Sequence, residues 1–467
     1  MTLNALKIIT EEQVSKSIKI SSFKAYDVRG QIPHEINTDI AYRIANATAQ
    51  FLSAKTIVIG RDIRESSTEL AESVALGLLD AGIDVIDIGL CGTENVYFAT
   101  GNLNSCGGIM ITASHNPSDY NGFKIIRDNA KPISSKTGLK EIQRYAESDK
   151  RYLAEKKGQY KKLDSNKEYV AKILSFIDSS ILENLKIVVN PGNGGAGEIV
   201  DRITENLPFE LIKVNYEADS SFPNGVPNPM IEENRISTSK AVMKNKADMG
   251  IAWDGDFDRC FFFDENGEFV EGYYLVGLLA KSFLIKQKNE SIIFDPRLTW
   301  NTIDEIERHQ GKAIQCQSGH SFIKQSMRDN NAVYGGEMSA HHYFRDFYYC
   351  DSGMIPWLLV AELMSRENTS LSSMIESYQD RYPVSGEINS KVKDTNLTIN
   401  TIKDHYSHEA KSIDIMDGIG MEFDNWRFNL RASNTEPLIR LNVESKNDAS
   451  LMQKKTKELL DRINRFS

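Results

Sequence analysis

A serine and three aspartates stand in two short stretches whose residue types and spacing suit chemistry. In Thr112-Ala113-Ser114-His115-Asn116-Pro117, an apolar run, Ile109-Met110-Ile111, gives way to a hydroxyl followed by an imidazole. Pro117 cannot donate to a strand ladder and Asn116 favours turn geometry, so the segment should leave its strand sharply and present Ser114 to a cleft. Such exposure suits a nucleophile or a phosphate carrier, although many Ser-His neighbours are only caps or turns. In Asp254-Gly255-Asp256-Phe257-Asp258-Arg259, three carboxylates two residues apart form a hard-oxygen cation site, with Mg2+ as the expected occupant. Converging carboxylates repel one another unless a cation sits between them. An EF-hand is excluded because Arg259 takes the sixth loop position, where glycine is required, and the flanks read as strands.

Other stretches add polar groups of the same kind. Ahead of Gly30, Tyr26, Asp27 and Arg29 crowd together, and Arg29 either clamps an anion or pairs with Asp27. After an apolar strand, Gly335-Gly336-Glu337-Met338-Ser339-Ala340-His341 alternates Glu337, Ser339 and His341, which would share one face and offer partners to a polyol. Arg431-Ala432-Ser433-Asn434-Thr435 sets an arginine beside hydroxyl and amide donors on a turn, either a phosphate cradle or a cap. Gly192, Gly194 and Gly197 have the spacing of a dinucleotide fingerprint, with Glu217 or Asp219 about 20 residues on. In mid-chain such a glycine turn is more often tight strand–helix packing, and a nucleotide-dependent dehydrogenase would rest on this loop alone.

These stretches sit on strand exits. Apolar positions at helical spacing (Ile40, Ile44, Phe51; Leu70, Val74, Leu78) alternate with short apolar runs at 56–59, 85–88 and 109–111, which predicts a mainly parallel sheet with ligand loops at its strand ends. The pattern recurs with strands at 187–189, 248–253 and 260–263, and again at 292–294, 313–316 and 332–334. Clean alternation over 426–431 and 439–444 predicts an antiparallel, half-buried sheet at the end. A length of 467 residues implies about three or four domains. The formal charge of -10 argues against a nucleic-acid groove. Five scattered cysteines without metal spacing read as reduced thiols, and the absence of a signal-like or membrane-spanning run points to a cytoplasmic protein.

Taken together, from Phe23 onwards, the Ser114, Asp254, Glu337 and Arg431 stretches resemble the α-D-phosphohexomutase superfamily, in particular its bacterial polysaccharide-biosynthesis branch. The resemblance implies an α/β fold: three related α/β/α domains plus a C-terminal α+β, TATA-binding-protein-like domain around a central cleft. The expected divisions are an N-terminal extension at 1–21, a phosphoserine-loop domain at 22–160, a metal-loop domain at 161–266, a sugar-loop domain at 267–378 and a phosphate-loop domain at 379–467. It implies reversible interconversion of mannose 6-phosphate and mannose 1-phosphate, feeding GDP-mannose and surface polysaccharide, with a dual mannose/glucose specificity as the alternative. By resemblance Ser114 carries the phosphoryl group and joins Asp254, Asp256 and Asp258 around Mg2+, with hexose 1,6-bisphosphate as intermediate and activator. His115, Lys124, Arg29, Arg259 and His341 resemble the catalytic helpers. Tyr26, Arg297, His320, Glu337, Ser339, Arg431, Ser433, Asn434 and Thr435 resemble the substrate contacts. A sugar phosphate is the expected partner, without nucleic acid or membrane, and the oligomeric state is left open. Glu94-Asn95 follows Thr93 where many relatives carry proline, and Arg297 stands where relatives often carry lysine.

Overall fold

A computed structural model describes residues 16–433 and 438–466. The chain forms two compact units: Met1–Phe263 with Cys350–Leu358, and Asp264–Tyr349 with Leu359–Ser467.

The first unit holds two sheets. In the first, strands run in the order Val28–Gln31, Tyr120–Arg127, Gly107–Ile111, Thr56–Arg61, Asp84–Leu90 and Tyr160–Lys162. The pairings from Gly107–Ile111 outward to Tyr160–Lys162 are parallel, while Tyr120–Arg127 pairs antiparallel on both of its sides. Gly107–Ile111 is buried along its whole length, as a central parallel strand covered by helices must be. Each fully buried isoleucine on it contributes about 2 kcal/mol of apolar burial. Helix Thr38–Leu52 starts where the Asn37 side chain accepts the Ile40 N–H and ends at left-handed Ser53. It packs closely on helix Ser67–Asp80, where a Cβ on Gly77 would meet the Tyr42 carbonyl oxygen at 2.4 Å. The second sheet runs Cys260–Phe263, Met249–Trp253, Lys186–Asn190 and Glu210–Lys213, antiparallel at the first pairing and parallel thereafter.

In the second unit, Lys312–Gln315, Ser291–Phe294 and Tyr334–Gly336 pair in parallel, and His342–Phe344 adds antiparallel to the last. The third of these strands begins at Tyr334, later than its apolar pattern suggests, and continues through Gly335 and Gly336. Those glycines show no hydrophobic period, yet Gly335 seats so closely on Met327 that a Cβ would lie 2.8 Å from its Sδ. The last sheet runs Ile388–Lys391, Leu438–Ser445, Trp426–Ala432, Ile419–Glu422 and Ser412–Asp414, antiparallel throughout as the alternation predicts. Its inward residues Phe428, Leu430, Leu441 and Val443 form one core with Ile402 and Leu459 from helices Thr395–Tyr406 and Ala449–Ile463. Among the described residues no helix is long and apolar enough to cross a membrane.

The loops bearing Ser114, the three aspartates, Arg297, His320 and Glu337 leave the C-terminal ends of parallel strands, whereas Arg431 lies at the end of the antiparallel strand Trp426–Ala432. In the first unit such loops follow Gly107–Ile111, Met249–Trp253 and Thr56–Arg61, and in the second Ser291–Phe294, Lys312–Gln315 and Tyr334–Gly336.

Candidate active site

Past Ile111 the chain turns out of the sheet. Ser114 adopts a left-handed φ of 49°, a conformation that costs a non-glycine residue about 1–2 kcal/mol. Its N–H donates to Thr112 Oγ1 at 2.8 Å, and the Asn116 N–H donates to the Ala113 carbonyl at 2.9 Å. Buried Arg64 holds the turn by donating to four carbonyls: Ser114 at 2.9 Å, Asn116 at 2.6 Å, Pro117 at 2.6 Å and Tyr120 at 3.0 Å. Asp62, also buried, balances the guanidinium at 3.3 Å. Because truncation leaves Asp62 buried and uncompensated, Arg64→Met is expected to lower stability by about 3–5 kcal/mol. Urea unfolding checks this, and an unchanged midpoint would remove Arg64 as the brace of the turn.

Ser114, which the sequence places at a cleft, is 5% exposed. Its hydroxyl folds onto the acidic loop, donating to Asp254 Oδ2 at 3.0 Å, and lies 3.0 Å from His115 Nδ1. A Cβ on Gly255 would stand 2.5 Å from the Ser114 carbonyl oxygen, so only glycine lets the two loops approach this closely. His115 Nδ1 also lies 2.5 Å from the Arg259 guanidinium. That positive charge, with burial, pulls the imidazole pKa down to about 2, so His115 is neutral and presents Nδ1 as an acceptor.

Asp254, Asp256 and Asp258 are fully buried and each offers an oxygen within 4.8 Å of the others. Arg259 pairs with Asp254 Oδ2 at 2.7 Å. Lys124, projecting from Tyr120–Arg127, donates to Asp256 at 2.7 Å and Asp258 at 2.6 Å. Thr93 grips Asp256 twice, through Oγ1 to Oδ2 at 2.5 Å and through its N–H to the Asp256 carbonyl at 3.1 Å. Burial raises the pKa of Asp254, and burial with the charge of Asp256 raises that of Asp258. Burial also raises Asp256, but Lys124 and the Thr93 hydroxyl outweigh it and hold that carboxyl below its ordinary value. Against its own desolvation, Lys124 is held charged by Asp256 and Asp258. Asp256 Oδ1 is buried without a hydrogen-bond partner. An all-carboxylate donor set with an unsatisfied oxygen fits a small hard divalent cation.

Of its two sequence alternatives Arg29 shows the pairing with Asp27, at 2.6 Å, and it also donates to the Asn116 amide oxygen, Oδ1, at 2.7 Å. Tyr26 is half-buried on the approach to strand Val28–Gln31. The dinucleotide-like glycines serve packing. Gly192 takes a φ of 60° under Pro227, Gly194 lies beside the Gly255 backbone, and Gly197 abuts the Tyr216 carbonyl.

In the second unit, buried Arg297 is the hub. Asp295 binds it through both oxygens at 2.8 and 2.9 Å, Ser339 Oγ lies at 3.4 Å, and Glu337 and Glu387 lie at 3.8 and 3.7 Å. Glu337, Ser339 and His341 follow strand Tyr334–Gly336, in the exit loop that the sequence suggests. They lie on a tight turn in which Ala340 has a φ of 69° and the Glu337 N–H donates to the His341 carbonyl. The turn still sets His341 Nδ1 3.7 Å from Glu337 Oε2, and Tyr343 donates to that oxygen at 2.6 Å. His320 opens its helix beside Gly319, whose N–H donates to Glu337 Oε1 at 2.8 Å. Arg431 pairs with Glu387 at 2.9 Å, and the Ser433 N–H closes its loop onto the Leu438 carbonyl. Asn434 and Thr435 lie outside the described residues.

Sequence reading missed Arg64, Asp295 and Glu387, and it left Thr93 without a role. It also missed the buried Arg427–Glu444 pair, which holds the Arg297 loop through the Pro296 and Arg297 carbonyls and the Thr299 N–H. The available signal was a charge on each of two strands whose neighbouring positions are apolar, paired in register at 427 and 444.

Four consecutive matches to the phosphoglucomutase/phosphomannomutase family cover most of the chain. They comprise alpha/beta/alpha domain I at residues 21–153, domain II at 167–267, domain III at 271–382 and the C-terminal domain at 387–461. The chain is 52% identical to a phosphomannomutase of Escherichia coli K12 over 96% of its length and 99% of that protein's. It is 52% identical to one from Vibrio cholerae, again over 96% and 99%. It is also 52% identical to a protein named phosphohexose mutases from Xanthomonas campestris, over 94% of this chain and 98% of that one. A crystal structure of a phosphoglucomutase/phosphomannomutase family protein from Burkholderia thailandensis superposes with a TM-score of 0.85 at 28% identity, covering 96% of this chain and 98% of that one. Family and geometry agree across the length of the sequence, and the chain belongs to the phosphoglucomutase/phosphomannomutase family.

Proposed function

We propose that the protein is a phosphomannomutase, an isomerase that interconverts mannose 6-phosphate and mannose 1-phosphate through a phosphoserine enzyme. The observation that carries this reading is the Ser114 hydroxyl, fixed 3.0 Å from Asp254 Oδ2 in a left-handed turn above three buried carboxylates. In the working state Ser114 Oγ bears a phosphoryl group. A sugar hydroxyl attacks phosphorus, the Ser114 Oγ–P bond breaks as the new O–P bond forms, and the hydroxyl proton passes to a protein base. The resulting hexose 1,6-bisphosphate, also the activator that restores lost phosphoserine, then gives its other phosphoryl group back to Ser114 Oγ. Mg2+ held by Asp254, Asp256, Asp258 and the Ser114 phosphate would neutralise charge on the transferring group.

The chain's own groups do the rest. Arg29 and Arg259 hold the Ser114 turn and the acidic loop through Asn116 and Asp254. Lys124, kept charged by its carboxylate neighbours, is an acid, while neutral His115 accepts at Nδ1 beside Ser114. Glu337 and Ser339 read sugar hydroxyls, with His341, His320 and Arg297 orienting them. Arg431 and Ser433, with Asn434, Thr435 and Tyr26, hold the phosphate that is not being transferred. The reaction needs no nucleotide and no membrane. Its product supplies GDP-mannose for surface polysaccharide in the cytoplasm.

A dual mannose/glucose specificity is the second reading. The two sugars differ only at C2, Glu337 and Ser339 address O3 and O4, and the Xanthomonas relative bears the broader name. Phosphorus NMR of the protein with Mg2+, trace hexose 1,6-bisphosphate and either mannose 1-phosphate or glucose 1-phosphate separates the readings. Faster mannose conversion is the expected result, equal rates give a dual enzyme, and no conversion of either sugar overturns the proposal.

A further inference from the structure

Glu94 is fully buried on the first turn of helix Thr93–Asn102, and no step above uses it. Tyr169, from helix Asn166–Leu174, donates its hydroxyl to Glu94 Oε1. Burial pushes the carboxyl pKa up to about 8, against the pull of the Ser352 and Tyr169 hydroxyls and the Met354 and Gly353 N–H groups. Three stretches distant in sequence therefore meet at one carboxyl: the 93–102 helix, the 166–174 helix and the segment Cys350–Leu358.

Two of those stretches grip the 254–259 loop from different sides. Thr93 holds Asp256 by backbone and hydroxyl, and the turn before it is pressed so tightly that a Cβ on Gly92 would meet the Phe257 ring at 2.3 Å. Gly353 takes the Trp253 indole N–H on its carbonyl at 2.9 Å. A Cβ on Gly353 would lie 2.4 Å from the Phe257 carbonyl oxygen and 3.1 Å from that of Arg259. Glu94 is bonded in sequence to one grip and faces the other.

We infer that Glu94 is a positioning residue for the cation loop: with Tyr169 as its prop, it sets the spacing between the Thr93 turn and the Ser352–Gly353 turn, and so the spacing of the three aspartates. The inference rests on the proposed cation site. Thr93 reports any displacement directly to Asp256, and Gly353 reports it to the Phe257 and Arg259 backbone. Glu94 touches neither substrate nor cation, so its removal should change how well the aspartates converge and leave sugar-phosphate affinity alone.

The test is Mn2+ binding to the full chain, followed by electron paramagnetic resonance, beside the Mg2+ dependence of turnover. Glu94→Ala is expected to weaken Mn2+ about tenfold, and Tyr169→Phe about threefold. Glu94→Gln, which keeps an oxygen for Tyr169, should stay within about twofold of the unaltered chain. Half-saturating Mg2+ should rise in the same order while KM for the sugar phosphate is unchanged. If Glu94→Ala does not fold, Tyr169→Phe against Glu94→Gln carries the comparison. Unaltered Mn2+ binding in Glu94→Ala and Tyr169→Phe overturns the role of Glu94 alone, as does a Glu94→Gln chain no better than Glu94→Ala. Absence of Mn2+ binding by the unaltered chain overturns the cation site itself and this inference with it.

Discussion

Ser114→Ala is expected to lower kcat by roughly 10^4-fold or more, because it removes the atom that must carry the phosphoryl group. The fold should tolerate the change. Without the hydroxyl, Asp254 Oδ2 keeps Arg259 at 2.7 Å and His115 Nδ1 keeps the same guanidinium, so no buried charge loses its main partner. The turn itself is held by Arg64 through carbonyls that alanine also possesses. Steady-state rates with mannose 1-phosphate, together with the intact mass of the protein after exposure to hexose 1,6-bisphosphate, check this. The variant should show neither turnover nor the added phosphoryl mass at an unchanged melting temperature. A variant that still turned over would remove Ser114 as the carrier.

Asp256→Asn is expected to raise the Mg2+ needed for half-maximal activity by about 10–100-fold and to lower activity with it. Asp256 lies at the centre of the acidic loop, receiving Lys124 and Thr93 on Oδ2 while Oδ1 stays unsatisfied. An amide there removes one charge and turns a donor toward groups that are themselves donors. The readout independent of catalysis is thermal. Mg2+ should raise the melting temperature of the unaltered chain by binding the folded state, and this shift should shrink in the variant. An equal Mg2+ shift in both chains would move the cation away from Asp256.

Whether a residue could be read from sequence depended on how locally its work is done. Ser114 and the three aspartates could be singled out because each motif is a few consecutive polar residues directly after an apolar strand, although the hydrogen bonds that join them span more than a hundred residues. The antiparallel final sheet was legible because alternation at 426–431 is a local pattern. Arg64 was not, since its four carbonyl partners lie some fifty residues further along the chain and nothing around it marks it out. Glu387 was hidden likewise, because its partners Arg297, Arg431 and Arg440 come from two different sheets. The partner of Ser114 was not legible, because a strand exit says where a hydroxyl leaves the sheet but not which distant loop meets it. The exit loop at 337–341 was legible as a loop, but its tight turn was not, because nothing in the residue types marks Ala340 as left-handed.

The return of Cys350–Leu358 to the first unit bears on the order in which the molecule can mature during synthesis. A nascent chain that has emerged only as far as Phe263 already carries Ser114, the three aspartates, Lys124 and Arg259, yet it lacks Gly353, the backbone seat of Trp253 and Phe257. The acidic loop would then wait, unseated, while the intervening residues of the second unit are translated and begin to fold. Completion of the phosphoryl-carrying centre is thereby tied to the late arrival of a short downstream segment, and a chain interrupted before it should hold its acidic loop loosely however well its sheets have formed.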